Sequence, residues 1–236
     1  MKTLLAALLI LGTCANAQTG LVGQFAVWKP KEGKEDLFEA GYKKHLEWHR
    51  TNGDTWDWYG WFFSSGPRTG TFVDATLFRS WAELDHPVKP AEDWADNRIH
   101  TVPFANLETV FRVAYMPGLS IQDGGSLRSK YLCMVTLEAL DVFLLRKLLD
   151  KMVTPGNNMP ALKTHLVFQV VDGGSMNQWL VFLGADSMEA YGRVLTEWMN
   201  RITLNELFKK AVATITAERL TYREDLSLLT GKRTNE

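Results

Sequence analysis

Apolar positions along the chain follow two periods in a repeating order. Residues 21–28 read as a strand, 30–34 as a turn, and 35–50 as an amphipathic helix with apolar side chains three and four apart. Residues 56–63 and 71–78 read as the two strands of a hairpin, joined by a Ser-Ser-Gly-Pro-Arg-Thr-Gly loop ending at Gly70. Ser80 with Glu83 three residues on has capping-box spacing and predicts a second helix there. A Pro-interrupted polar stretch and a strand over 109–115 complete a β-α-β-β-α-β unit.

Pro117-Gly118 and Gly124-Gly125 supply linker chemistry, and then the order returns. The pattern predicts a strand at 131–137, a helix at 141–153 and a strand at 165–171. An Asp172-Gly173-Gly174 turn, a strand at 177–183 and a helix capped by Asp186 with Glu189 follow. A short helix within 204–213 and a last strand within 212–223 close the second half. The expected fold class is therefore α+β: two tandem ferredoxin-like β-α-β-β-α-β repeats forming a single-chain two-sheet barrel. The repeats span 18–116 and 130–229, with a linker at 117–129 and a polar tail at 230–236. Residue identity between the halves is low, so what repeats is the architecture.

The second strand carries aromatics on both parities: Trp56, Trp58 and Phe62 on one, Tyr59, Trp61 and Phe63 on the other. A sheet of that kind has to be covered on both faces. In element order and tandem halves the chain resembles the dimeric α+β barrel superfamily. That group includes antibiotic-biosynthesis-type monooxygenases, NIPSNAP-like proteins and the chlorite dismutase-like haem proteins. The resemblance implies two antiparallel sheets face to face, helices outside, and a pocket between sheet and helices. It implies little about chemistry, because members do very different things.

The N-terminus has the three parts of a secretory leader: Lys2, an apolar run from Leu4 to Leu11, and Ala15-Asn16-Ala17 as a cleavage site. Removal of residues 1–17 predicts an exported protein, periplasmic or extracellular, with no transmembrane segment in the mature chain. Cys14 gives lipidation as the lesser alternative. The formal charge of the whole chain is −1, and losing Lys2 makes it about −2, which argues against a nucleic-acid partner. Cys133 would then be the sole cysteine, in an apolar run, and reads as a core residue.

The strongest candidate chemistry lies on the first helix. His45 and His49 fall near the middle of its apolar half, four residues apart, so their rings lie side by side. Buried imidazoles need partners. The corresponding helix of the second half offers Leu144, Leu145, Leu148 and Leu149 and no histidine, so a polar arrangement is expected in the first half only. Gly41, one turn earlier, either leaves room above the sheet or permits close packing.

Three readings stay open. The histidines are satisfied core residues; or one acts as general base on a small hydrophobic molecule, in a pocket with Tyr42, Trp48, Gln24, Asp74 and Arg112; or the pair ligates a metal or haem. His45-Leu-Glu-Trp-His49 has the spacing of two metal ligands but is not H-E-x-x-H. A third ligand would come from His86, His100 or a carboxylate such as Asp74, and no metal ligand set is assigned. No P-loop, G-x-G-x-x-G, G-x-S-x-G or paired-cysteine motif is present, so the cofactor is left unknown. The function classes in play are a cofactor-independent enzyme, a non-catalytic envelope protein, and a metal- or haem-binding protein.

Overall fold

The computed structural model describes residues 20–121, 127–154 and 159–230. The leader expected over 1–17 with Cys14, the Gly124-Gly125 part of the linker, and the tail beyond Thr230 lie outside the described residues.

Eight strands are present among the described residues: β1 (Val22–Pro30), β2 (Tyr59–Phe63), β3 (Phe72–Arg79), β4 (Ala105–Tyr115), β5 (Tyr131–Ala139), β6 (Thr164–Asp172), β7 (Gln178–Ala185) and β8 (Val212–Tyr222). They close into one antiparallel barrel in the order β1-β3-β2-β8-β5-β7-β6-β4. The expected pair of facing sheets is thus one continuous ladder. Its two seams are short: β2 meets β8 over Trp61–Phe63, and β4 meets β6 over Arg112–Tyr115. Closure gives each of these strands a neighbour on both sides, which removes the edge problem of an open sheet.

The barrel is filled by side chains from all eight strands, among them Phe25, Trp61, Phe168 and Phe182. Tyr59, Trp61 and Phe63 point into it, while Trp58 and Phe62 pack with the helix-side cluster, as the double aromatic parity requires. Among the described residues, five α-helices flank the barrel: α1 (Glu35–Thr51), α2 (Pro90–His100), α3 (Val142–Val153), α4 (Met188–Thr203) and α5 (Phe208–Ala211). α1 buries Phe38, Gly41, Tyr42, His45, Leu46 and His49, one face at helical spacing. Glu35 and Asp36 in its first turn and His49 and Arg50 in its last suit the helix dipole.

Two helix starts differ from expectation. The Ser80–Glu83 capping box forms, with Glu83 N donating to Ser80 Oγ at 3.2 Å and Ser80 N to Glu83 Oε2 at 2.7 Å. It caps only the 3₁₀ turn Ala82–Asp85. Pro87 holds His86 out of helical geometry, and the true helix begins at Pro90, whose missing N–H costs nothing in the first turn. In the second half the cap is Ser187, which accepts from Ala190 N at 3.1 Å, one residue beyond the expected Asp186.

Candidate functional site

α2 lies across α1 because residue 41 has no side chain. A β-carbon at Gly41 would stand 1.8 Å from the carbonyl oxygen of His100. Of the two roles open to this glycine, close packing is the one realised, and the neighbour is a helix, not the sheet. The approach brings Asp93, Asp96 and Asn97 of α2 onto His45 and His49 of α1.

His45 Nδ1 lies 2.8 Å from Asp96 Oδ2. His49 Nδ1 lies 2.8 Å from Asp54 Oδ2, just past the end of α1. That approach is short, but its angle is not that of a directed hydrogen bond. Asp54 also accepts from Trp56 N and Trp58 Nε1, both at 2.9 Å. The two Nε2 atoms face each other at 3.1 Å. Asp93 Oδ1 sits 3.3 Å from His45 Nε2 and 3.6 Å from His49 Nε2. Asn97 Nδ2 is 2.8 Å from His45 Nε2, and its carbonyl oxygen accepts from Thr101 Oγ1 at 2.6 Å.

Tryptophans wall the pair. Trp48 stacks parallel to His45 with ring centres 6.2 Å apart, and Trp58 tilts over His49 at 4.4 Å. His45 and His49 are 4 % and 2 % exposed, whereas the Asp93 side chain is 29 % exposed and marks the way in. Burial, and then repulsion from His49, lowers the His45 pKa to about 4 against the pull of Asp96. Burial raises Asp93, and the neighbouring Asp54 and Asp96 charges add to it against the pull of His49. Burial would raise Asp54 too, but the groups donating to it win and hold it below the usual carboxylate range.

Of the sequence-predicted pocket residues, the structure gathers some and not others. Tyr42 and Asp74 meet behind the histidines, where Trp28 Nε1 also donates to Asp74 Oδ2 at 2.8 Å. Burial lifts Asp74 to about 7, against the hydrogen bonds from Trp28 and Tyr42. Gln24 sits beside Thr76 and Arg112 on the barrel ladder, and Arg112 pairs with Asp172 across the β4–β6 seam. Neither is brought to the imidazoles. The space expected between α1 and the sheet is filled by Phe38, Tyr42 and Leu46 against Trp28 and Phe72, so the polar cluster lies between two helices instead.

His100 reaches only the far oxygen of Asp96, at 3.7 Å, and His86 is exposed at the end of the 3₁₀ turn. A haem does not fit the second half. α3 and α4 carry no histidine, and the sheet face they cover is packed with Leu145, Leu148, Trp179 and Trp198. His165 accepts from Trp198 Nε1 at 3.3 Å and is 1 % exposed.

The residues missed by pattern reading are Asp54, Asp93, Asp96 and Asn97. A signal existed: Asp93, Asp96, Asn97 and His100 recur three and four apart, a polar stripe on one helix face.

No protein-family model and no curated protein matches the sequence. Solved structures do match its fold. A candidate monooxygenase from Lactobacillus acidophilus superposes with a TM-score of 0.60 at 11% identity, covering 89% of this chain and 97% of that one. An anthrone oxidase-like protein gives 0.56 at 11% identity, over 92% and 96%. Chlorite dismutase from Candidatus Nitrospira defluvii gives 0.57 at 8% identity, over 89% and 94%. The chain therefore has the dimeric α+β barrel fold of chlorite dismutase-like and monooxygenase-like proteins. At such identities the likeness speaks for the fold alone.

Proposed function

We propose that this is an exported enzyme acting on a small molecule at the α1–α2 face, with His45 and His49 as its chemically active groups. One observation carries the reading: each imidazole has its Nδ1 on a different carboxylate while both Nε2 atoms turn to one point beside Asp93. Mere burial would be met by one backbone partner per ring. The equivalent helix of the second half does its packing with Leu145, Leu148 and Leu149. Neighbours named as monooxygenases and as an anthrone oxidase-like protein are consistent with small-molecule chemistry on this scaffold.

The halves are read as tandem ferredoxin-like repeats, 18–116 and 130–229, because their strands run β4-β1-β3-β2 and β8-β5-β7-β6 around the barrel, the same order twice. Export rests on the leader sequence, and N-terminal sequencing of the secreted form should begin at Gln18. The rival reading, a non-catalytic envelope protein, is favoured by the near-complete burial of both rings.

The deciding experiment incubates the mature protein and His49→Ala with a panel of small aromatic and aliphatic compounds under air, with mass spectrometry of products. Conversion by the wild type that falls by about 10²–10⁴ in the variant supports catalysis. Compounds that bind both proteins equally and emerge unchanged would establish the binding protein instead.

A further inference from the structure

The Nε2 atoms of His45 and His49 face each other in a buried cluster, where two lone pairs turned toward one point are costly. Asp96 holds the His45 proton on Nδ1, and the Asp54 carboxylate 2.8 Å from His49 Nδ1 favours the same tautomer there. Both Nε2 atoms then offer lone pairs, 3.1 Å apart. Asp93 Oδ1 adds a third donor, 3.3 and 3.6 Å from them. Among the described residues, every ion pair of Asp54, Asp93 and Asp96 runs to a histidine, and neither lysine nor arginine offsets the three carboxylates.

A proton shared between the rings would satisfy two of these donors. Three donors converge, and they do so at the size of a metal's ligand face. The point equidistant from three atoms at those separations lies about 1.9 Å from each, so a cation slightly out of their plane attains the ~2.0–2.2 Å of metal–nitrogen and metal–oxygen bonds. The carboxylates behind the histidines are the usual outer supports of metal-bound imidazole.

We propose that His45 Nε2, His49 Nε2 and Asp93 Oδ1 bind one divalent first-row transition metal ion, with Asp96 and Asp54 orienting the two rings. Two imidazoles and one carboxylate on one side of the ion leave its remaining positions open toward the solvent-exposed side of Asp93. Asn97, whose Nδ2 now caps His45 Nε2, is the group the ion displaces. The inference rests on the reading of the α1–α2 face as the working site, and supplies the chemistry that a filled helix–sheet interface denies to an organic cofactor there.

The test uses the mature protein stripped with chelator and titrated with Co²⁺, Zn²⁺, Mn²⁺ and, without oxygen, Fe²⁺, read by calorimetry and by the visible spectrum of the Co²⁺ form. One equivalent is expected, with Co²⁺ bands of a nitrogen- and oxygen-ligated ion. Asp93→Ala and His49→Ala should weaken binding at least ~100-fold, and Asp96→Asn ~10–100-fold. Circular dichroism confirms the fold of each variant, and Asp93, on the open side, is the substitution the fold tolerates best. Absence of saturable binding for all four ions overturns the proposal, as does one-equivalent binding undiminished in both ligand variants. The two readings fail separately. Turnover without metal binding leaves the enzyme and removes the ion; metal binding with no turnover does the reverse.

Discussion

The carbonyl oxygen of His100 occupies the place where a side chain on residue 41 would begin, 1.8 Å from the position of a β-carbon there. The whole site depends on that vacancy, since it sets how near α2 comes to α1. Gly41→Ala must push α2 outward by more than an ångström, and the distances from His45 to Asp96 and Asp93 lengthen with it. Overpacking should cost about 1–3 kcal/mol, despite alanine's better helix propensity. Urea unfolding measures the loss, and metal titration of the same variant should show weakened or absent binding. A variant as stable as the wild type, with unchanged titration, would mean that α2 is not held where described.

Asp74 gives the protein a pH dependence of unusual sign for a carboxylate. Its folded pKa is raised from 3.8 to about 7, chiefly by burial. The folded state therefore holds the proton more tightly than the unfolded chain does. Stability is greatest below the unfolded value and falls as pH rises from about 4 to 7, by a total on the order of 4 kcal/mol. Asp74→Asn keeps an acceptor for Trp28 and removes the titration. Denaturant midpoints across that window should decline less steeply in the variant than in the wild type.

His165 acts in the opposite direction within the second half. Burial lowers its pKa from 6.5 to about 4, so the unfolded state binds the proton first as pH falls. Its contribution is fully present above 6.5 and is lost on acidification toward 4, on the order of 3 kcal/mol. His165→Leu deprives Trp198 Nε1 of its acceptor, costing about 1–3 kcal/mol at neutral pH. The same variant should lose less stability between pH 6.5 and 4 than the wild type does. Acid titration followed by tryptophan fluorescence reads both effects.

Half of the site is legible in the amino-acid sequence, and the reason is periodicity. α1 sets its buried residues on one stripe among charged neighbours, so His45 and His49 stand out as polar groups on an apolar face. α2 has no buried residue at all. Its helical period is carried by Asp93, Asp96, Asn97 and His100, and a search for apolar recurrence passes over it. The succession of strands and helices along the chain is readable because apolar residues alternate in the strands and recur three and four apart in α1, α3 and α4. Closure into a single ladder is not, since it depends on short seams such as Trp61–Phe63 with Leu220–Tyr222, which leave no mark of their own. Arg112 and Gln24 are expected in the pocket as polar groups on neighbouring strands, and a strand pattern does not fix how far along the sheet such a group lies from a given helix residue.

The β2–β8 seam is where the barrel is expected to open first. Only three residues of each strand pair there, and Glu218 of β8 supplies the reinforcement. Its carboxylate accepts from Arg68 N at 2.9 Å and Arg68 Nε at 2.8 Å, and also meets Arg68 Nη2, so it grips the β2–β3 loop. Glu218 is 2 % exposed, and Arg68 in turn lies over the Phe63 ring at 4.0 Å. Removing one partner of a pair buried on one side strands the other, so Glu218→Ala should destabilise by about 2–4 kcal/mol, below the 3–5 of a fully buried pair because Arg68 is partly solvated. Glu218→Gln retains an acceptor for Arg68 N and should cost markedly less. Hydrogen exchange localises the effect. The Ser64 amide, bonded to Arg219 O at 2.8 Å, should lose protection in Glu218→Ala before amides of the β5–β7 ladder do. Equal loss across both would show that the barrel opens as one unit and that the seam is not its weak point.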